Sequence, residues 1–405
     1  MHVMFLSGSG ELGGAERSLL DVAASLRLAR PSWSMSLLAP AAGPLVDHAA
    51  MLGVQAGVVP FGAMLSRVGE SNTGTVPGRA RLAVRLGGAA LPAVRYVGRL
   101  RSTIRELEPD IIHTHGIKVH MLGAWANPGS AAVVWHLHDY VGRRAATAPL
   151  LRRCLNRCRA IVANSRSVAD DARAVLGPRV PVDTVLNAVD LDRYRPDGPR
   201  LDLDALAGLA RPATPVLRIG LLATFSRWKG HLTFLEAFAR LGHQSARAYV
   251  IGGPVYRTVD SQYGVAELRA HAVRLGIADR VGFTGFVADA DAALRALDVV
   301  VHASTDPEPF GLIIAEAMAC GRAIVVSDAG GAHELFTAGV DALAHAPGDV
   351  DGLATCLSEL ATRPALRARL AQAAADAARR RFDRTRLAGQ LVPVYERALT
   401  RDPHA

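Results

Sequence analysis

Short apolar runs alternate along the whole chain with longer stretches whose apolar positions recur every three or four residues. Runs bounded by turn residues read as buried strands, and the longer 3.6-period stretches read as the helices that cover them. In the first half this predicts strands at His2–Ser7, Trp33–Ala39, Gln55–Pro60, Asp110–His115, Ala131–Leu137, Ala160–Ala163 and Val182–Leu186. Leu19, Leu20, Val22, Ala23 and Leu26 lie on one stripe and predict a helix over Ala15–Leu28. Residues 190–215 then turn polar and proline-punctuated, as an interdomain hinge would. A second series predicts strands at Val216–Ala223, Ala248–Gly252, Arg280–Thr284, Val299–Ala303, Ala323–Ser327 and Ala342–Ala344. From about Pro364 the chain is nearly all helix-forming, with a break near Asp383. Strand–helix alternation of this kind signals parallel sheets covered by helices. The expected fold class is therefore α/β, with two Rossmann-like domains facing each other across a cleft. Residues 1–190 form the first and 191–384 the second, with a last helix (about Thr385–Leu399, in the segment 385–405) returning to the first.

A chain of 405 residues is too long for one ordinary core and comfortable for two domains. Half of it is apolar and a fifth charged, which fits a globular protein. No run of about 18 uncharged apolar residues occurs, and Met1–Leu6 lacks the basic lead of a secretory signal. A cytoplasmic protein is expected, with peripheral contact at the inner membrane face left open. Cys154, Cys158, Cys320 and Cys356 lack zinc-ligand spacing. The charge is uneven: residues 1–190 hold 21 basic against 13 acidic side chains, a net +8. Arg79, Arg81, Arg85, Arg95, Arg99, Arg101 and Arg105 crowd residues 78–105 without an acid, interleaved with Leu82, Val84, Leu86, Leu91, Val94, Tyr96, Val97 and Leu100. A solvated face and a surface for anionic lipid head groups both suit that pattern. No nucleic-acid partner is expected, because no reading motif or aromatic ladder accompanies the arginines.

The segment Asp306-Pro307-Glu308-Pro309-Phe310-Gly311-Leu312-Ile313 follows a strand and opens a helix that carries Glu316. A helix entry through glycine presents free amides to an anion. Glu316 can accept hydrogen bonds from a ribose-like diol, while Glu308 holds hydroxyls beyond the phosphates. With Arg322–Glu334 as the next strand and glycine-rich entry, this stretch resembles the retaining glycosyltransferases of the GT-B fold, family four. That family has Glu-Gly-Phe-Gly, a second Glu, then Ala-Met-Ala-x-Gly; here Pro309 stands in place of the first glycine. Gly220–Gly230 resembles the family's Gly-Arg-Leu-x-x-x-Lys-Gly loop. Lys229 fits the lysine that neutralises the donor diphosphate. The family's arginine is replaced by Thr224 or a neighbour, with Arg227 placed to reach the same phosphates. Lys118 and Lys229 are the chain's two lysines among 44 arginines, which suggests that a compact ammonium is wanted.

Gly8, Gly10 and Gly13 formally satisfy the dinucleotide fingerprint, but the second strand ends in Ala39-Pro40 without the acid that would hold a ribose. Gly13-Gly14-Ala15-Glu16 instead resembles the family's Gly-Gly-Ala-Glu, whose amides approach the donor phosphates. His138-Asp139, at a strand end, resembles the family's His-Asp segment and places His138 near the donor sugar. Asn164-Ser165 and Asn187-Ala188-Val189-Asp190 resemble further family segments.

The resemblance implies transfer of a hexose-type sugar from a UDP- or GDP-linked donor, with retention, to a glycan, lipid-linked or small-molecule acceptor. Charge builds on the departing diphosphate, so fixed cations and amide dipoles must aim there. Lys229, Arg227, the amides of Gly13 and Gly14 and the helix entry at Gly311 suit that need without a metal or other cofactor. The Asp-x-Asp pairs 190/192, 202/204 and 289/291 lie in the hinge or at helix starts and are not read as metal sites. His138, Glu308, Lys229 and Arg227 are the catalytic candidates. Gly13, Gly14, Arg227, Lys229, Glu308, Phe310, Gly311, Leu312, Ile313 and Glu316 are the donor-binding candidates. The rivals are a glycoside hydrolase working with two carboxylates, a dehydrogenase, and a nucleotide-sugar binder without activity.

Overall fold

The computed structural model describes residues 1–62, 76–144, 147–242, 245–254 and 261–400, those of 76–90 through their backbone only. It divides into two compact units, Met1–Ala188 with Arg384–Ala405, and Val189–Asp383.

The first unit carries strands β1 (His2–Ser7), β2 (Ser34–Ala39), β3 (Gln55–Val58), β4 (Ile111–His115), β5 (Ala132–Leu137), β6 (Ala160–Ala163) and β7 (Val182–Thr184). They form one parallel sheet in the order β3-β2-β1-β4-β5-β6-β7. The central strands are buried on both faces because helices cover both. Met4, Leu6, Ile112 and Trp135 point to one face, against Tyr96, Leu100 and Ile104 of the helix Val76–Leu107. Val3, Phe5, Ile111 and Val134 point to the other, against the helices Gly14–Ala29 and Arg386–Thr400. The last helix thus belongs to this unit, where it buries Leu387, Leu391, Val394 and Tyr395. Tyr96 and Leu100, expected on an amphipathic surface segment, are core residues, and Val97 packs beside them. Leu91 and Val94 remain exposed at 59% and 67%. The side chains of Arg79, Arg81, Leu82, Val84, Arg85 and Leu86 lie outside the described residues.

The second unit carries β8 (Leu217–Leu222), β9 (Ala246–Ile251), β10 (Val281–Gly285), β11 (Val299–His302), β12 (Ala323–Ser327) and β13 (Leu343–His345), all parallel, in the order β10-β9-β8-β11-β12-β13. In this order the chain reverses direction across the sheet between β8 and β11, so the loops after those strands share a crevice at their carboxyl ends, where open α/β sheets bind ligands. The expected hinge over 190–215 is corrected: this stretch is folded onto the second unit. Arg295 donates to the carbonyl oxygens of Pro199 (2.7 Å) and Arg193 (3.1 Å). Asp204, on the short helix Leu203–Ala207, accepts from Arg218 (2.7 Å), Arg247 (2.5 Å) and the Tyr249 hydroxyl (2.7 Å). The changeover lies between Ala188 and Val189, and Val189 donates to the Phe382 carbonyl at 2.7 Å within the second unit.

Candidate active site

In the second unit two loops converge at the carboxyl ends of β8 and β11. The first leaves β8, makes a single tight turn over Arg227–Lys229 and enters the helix His231–Arg240 through Gly230. Gly230 has φ +72°, and a side chain there would run into the Ala303 carbonyl. Only glycine lets the two loops approach so closely. The second loop leaves β11, passes Glu308 and enters the helix Leu312–Ala319 through Gly311 at φ +90°.

Their meeting sets the chemistry. Lys229 Nζ donates to Glu308 Oε2 at 2.7 Å and lies 3.9 Å from the centre of the Trp228 ring. Ser304 Oγ donates to the same oxygen at 2.9 Å, and His302 Nε2 stands 3.2 Å from it. Burial alone pushes the Glu308 carboxyl up, but the Lys229 ammonium and the His302 hydrogen bond outweigh it and hold it well below the usual carboxylate range. The pair is therefore charged and held in place. Phe310 is buried edge-on against Phe382. Leu312 and Ile313 are the first two helical residues, where backbone amides ordinarily lack an intrahelical acceptor, and the Ile314 amide already donates to the Gly311 carbonyl at 2.9 Å. Glu316, one turn further in, is buried, and its charge acts on Arg193 and Cys320.

Arg227 is placed differently. Its guanidinium faces Glu267 (3.3 Å) and lies over the Tyr263 ring (4.5 Å). The Asp-x-Asp pairs serve local structure: Asp190 and Asp202 accept from nearby backbone amides, and Asp291 pairs with Arg193 and Arg295.

Gly13, Gly14 and His138 belong to the first unit. Gly13 precedes the helix Gly14–Ala29, and its amide donates to Glu16 Oε2 at 3.1 Å. Gly10 has a different task, since a side chain on it would strike the Ala41 carbonyl of the neighbouring loop. His138 follows β5. Its Nε2 lies 2.9 Å from His115 Nδ1, and its ring stacks on His136 at 4.3 Å. Burial pushes His138 down to about 3, so the imidazole is neutral at neutral pH. Asp139 is taken up by Arg144 at 2.8 Å and by the Tyr140 amide. Ser165 caps the helix Arg166–Leu176, and Asn187 accepts from Ser18.

Two family models match the chain, one per unit. Residues 216–363 match "Glycosyl transferases group 1" and residues 12–193 match "Glycosyltransferase Family 4". The chain belongs to the group 1 glycosyltransferases of family four. Among solved structures it is similar to Anabaena HepE, crystallised in complex with UDP, at 27% identity and a TM-score of 0.77, covering 98% of this chain and 100% of that one. The HepE complex with UDP-glucose gives 27% identity and a TM-score of 0.78, covering 98% and 99%. Among curated relatives, the D-inositol 3-phosphate glycosyltransferase of Xylanimonas cellulosilytica is 32% identical over 60% of this chain and 58% of its own length. The lipopolysaccharide core biosynthesis glycosyltransferase LpsD of Rhizobium meliloti is 26% identical over 75% and 80%. The matched segments of the first two curated relatives span 58% and 40% of their lengths. The GT-B fold of these structures agrees with the two parallel α/β units described above.

Sequence reasoning about this family member missed His302 and Ser304, which complete the setting of Glu308. Their signal was the spacing His302-x-Ser304 at a strand end, where alternate residues share a face. It also missed that His113, His115, His136 and His138 are neighbours. The twice-repeated His-x-His on two apolar runs was the available clue.

Proposed function

We propose that this protein transfers a hexose-type sugar, with retention of anomeric configuration, from a UDP- or GDP-linked donor to a glycan, lipid-linked or small-molecule acceptor. The observation that carries the reading is the Lys229–Glu308 pair, 2.7 Å apart, beside the helix entry at Gly311. A buried carboxylate holds the ammonium in place, and the helix Leu312–Ala319 begins four residues after that carboxylate. A donor diphosphate entering there meets one fixed positive charge and the positive end of a helix dipole. Both interactions strengthen as negative charge collects on the departing diphosphate, so they favour the transition state over the bound donor. Glu316 is assigned to the donor ribose. His138, neutral and rigidly stacked, is assigned to the sugar as a hydrogen-bonding partner rather than as an acid. The similarity to HepE supports a nucleoside-diphosphate donor, because the structures of that protein hold UDP and UDP-glucose.

A hydrolase would leave Lys229 and the helix entry without a task, which favours transfer. We place the reaction in the cytoplasm, with peripheral contact at the inner membrane face through the arginine-bearing helix Val76–Leu107. Among the described residues no helix is long and apolar enough to cross a membrane. The test is a thermal-shift panel of UDP-, GDP-, ADP- and dTDP-sugars, since a donor at 100 times its Kd stabilises by about 2.7 kcal/mol. One or more UDP- or GDP-sugars should raise the Tm and then support transfer, at the same rate with or without added magnesium. Silence across the whole panel would remove the nucleotide-sugar reading.

A further inference from the structure

The first unit holds a feature that sugar transfer does not use. His113 and His115 alternate on β4, and His136 ends the same face of β5, with His115 paired in register to His136. All three are buried, at 0–1% exposure. The His113 and His136 rings stack at 5.2 Å, and the His115 and His136 rings lie 4.8 Å apart. Buried polar atoms ordinarily have partners. Yet His113 Nε2, His115 Nε2 and both ring nitrogens of His136 have none among the described residues.

The partners that do exist select which nitrogen is left. The Tyr395 hydroxyl, from the helix Arg386–Thr400, lies 2.7 Å from His113 Nδ1. His138 Nε2 lies 2.9 Å from His115 Nδ1. Each of these two rings is thus held through Nδ1, and Nε2 is the nitrogen left without a partner. Metal-binding imidazoles are commonly fixed this way, one nitrogen donating outward while the other ligates.

We propose that His113, His115 and His136 form a site for a divalent transition metal of the zinc type. One ligand atom from each residue lies within 4.8 Å of the others. A tetrahedral ion with metal–nitrogen distances of about 2.0–2.1 Å spaces its ligands about 3.4 Å apart, so binding draws the three rings inward by roughly an ångström. Three neutral imidazoles without a carboxylate suit zinc, copper, nickel or iron and reject magnesium and calcium, which want oxygen. Three protein ligands leave a fourth position for water or hydroxide. With Nε2 on the metal, His115 keeps its proton on Nδ1 and donates it to His138 Nε2. The ion therefore also sets the tautomer of His138.

The experiment uses the full chain, purified without a histidine tag from zinc-supplemented cells and passed over chelating resin. Elemental analysis is expected to find about one zinc per chain in the wild type and none above buffer in His136→Leu. Metal-free wild type titrated with Co2+ should develop the visible absorption of a low-coordinate cobalt ion. Tyr395→Phe, which leaves the ligands in place, should weaken cobalt binding about 10–100-fold. If His136→Leu fails to fold, Tyr395→Phe decides alone. A wild type free of zinc and silent to cobalt overturns the site. So does equal zinc in wild type and His136→Leu, or unchanged affinity in Tyr395→Phe. These readouts do not depend on sugar transfer, so the site and the proposed function fail separately.

Discussion

Lys229 is one of two lysines in a chain that otherwise relies on arginine, and two further neighbours, His302 and Ser304, fix the carboxylate that holds it. In the proposed reaction, removing it takes away a charge that matters most when the diphosphate departs. Lys229→Ala and Glu316→Ala should each lower transfer about 100-fold or more, roughly 3 kcal/mol, while the far-UV spectrum stays unchanged. Near-normal turnover in either variant would take that residue out of the site. His231 offers a test of a different kind. It is buried edge-on against Phe225 at 5.3 Å, and burial, helped by the Lys229 charge, pushes its imidazole down to about 4. Below about pH 6.5 the unfolded chain takes up a proton that the folded protein refuses. Stability therefore falls as the pH drops from 6.5 toward 4, and above 6.5 this group contributes nothing to the slope. Between pH 7.5 and 5 the loss from His231 is about 2 kcal/mol. Urea unfolding at the two pH values should show a loss smaller by that amount in His231→Leu. Equal losses in the two proteins would show that the folded state protonates His231 after all.

At the level of elements, the thirteen strands among the described residues were largely legible in the sequence. A strand buried on both faces writes itself as a short apolar run, whatever its neighbours do. Ends shifted by a residue or two, as at β3 and β7, because edge strands stop pairing where their partner stops. The glycine entries were visible too, but what they admit was not. Gly230 is glycine because of the Ala303 carbonyl, a contact between residues far apart in the chain. Gly230→Ala should cost about 1–3 kcal/mol in strain at its positive φ, read as a lower urea midpoint. It should also reduce transfer, since Lys229 is the preceding residue. Unaltered stability would mean that the loops can part freely. The histidine cluster was illegible for a related reason. Each His-x-His motif is local, but only the parallel pairing of β4 with β5 sets them side by side. Residues 190–215 misled because prolines and polar residues mark any irregular chain, whether free or pinned. Here it is pinned by Arg218, which donates to Asp204, and by Arg295, which donates to the Pro199 carbonyl, two arginines from other elements.

For the whole molecule, the charge imbalance is the basis of the proposed contact with an anionic membrane surface. The net +8 of residues 1–190 includes Arg95 and Arg99, exposed beside Leu91 and Val94 on the helix Val76–Leu107. Each basic residue near an anionic surface contributes about 1 kcal/mol and is screened by salt. Sedimentation with anionic liposomes should therefore pellet the protein at low salt and release it at high salt. Equal recovery in the supernatant with anionic and neutral vesicles at low salt would leave a soluble acceptor. The division of the chain has a consequence for its synthesis. The first unit is sewn from Met1–Ala188 and the segment from Arg384 onward, with everything between them belonging to the other unit. On the ribosome the first sheet emerges early, yet the helix that covers one of its faces, bringing Leu387, Leu391 and Tyr395, is translated only after the whole of the second unit. The later-made unit can complete its core while the earlier one still waits with an open apolar flank, a period in which a chaperone or a stalled ribosome would find it most exposed.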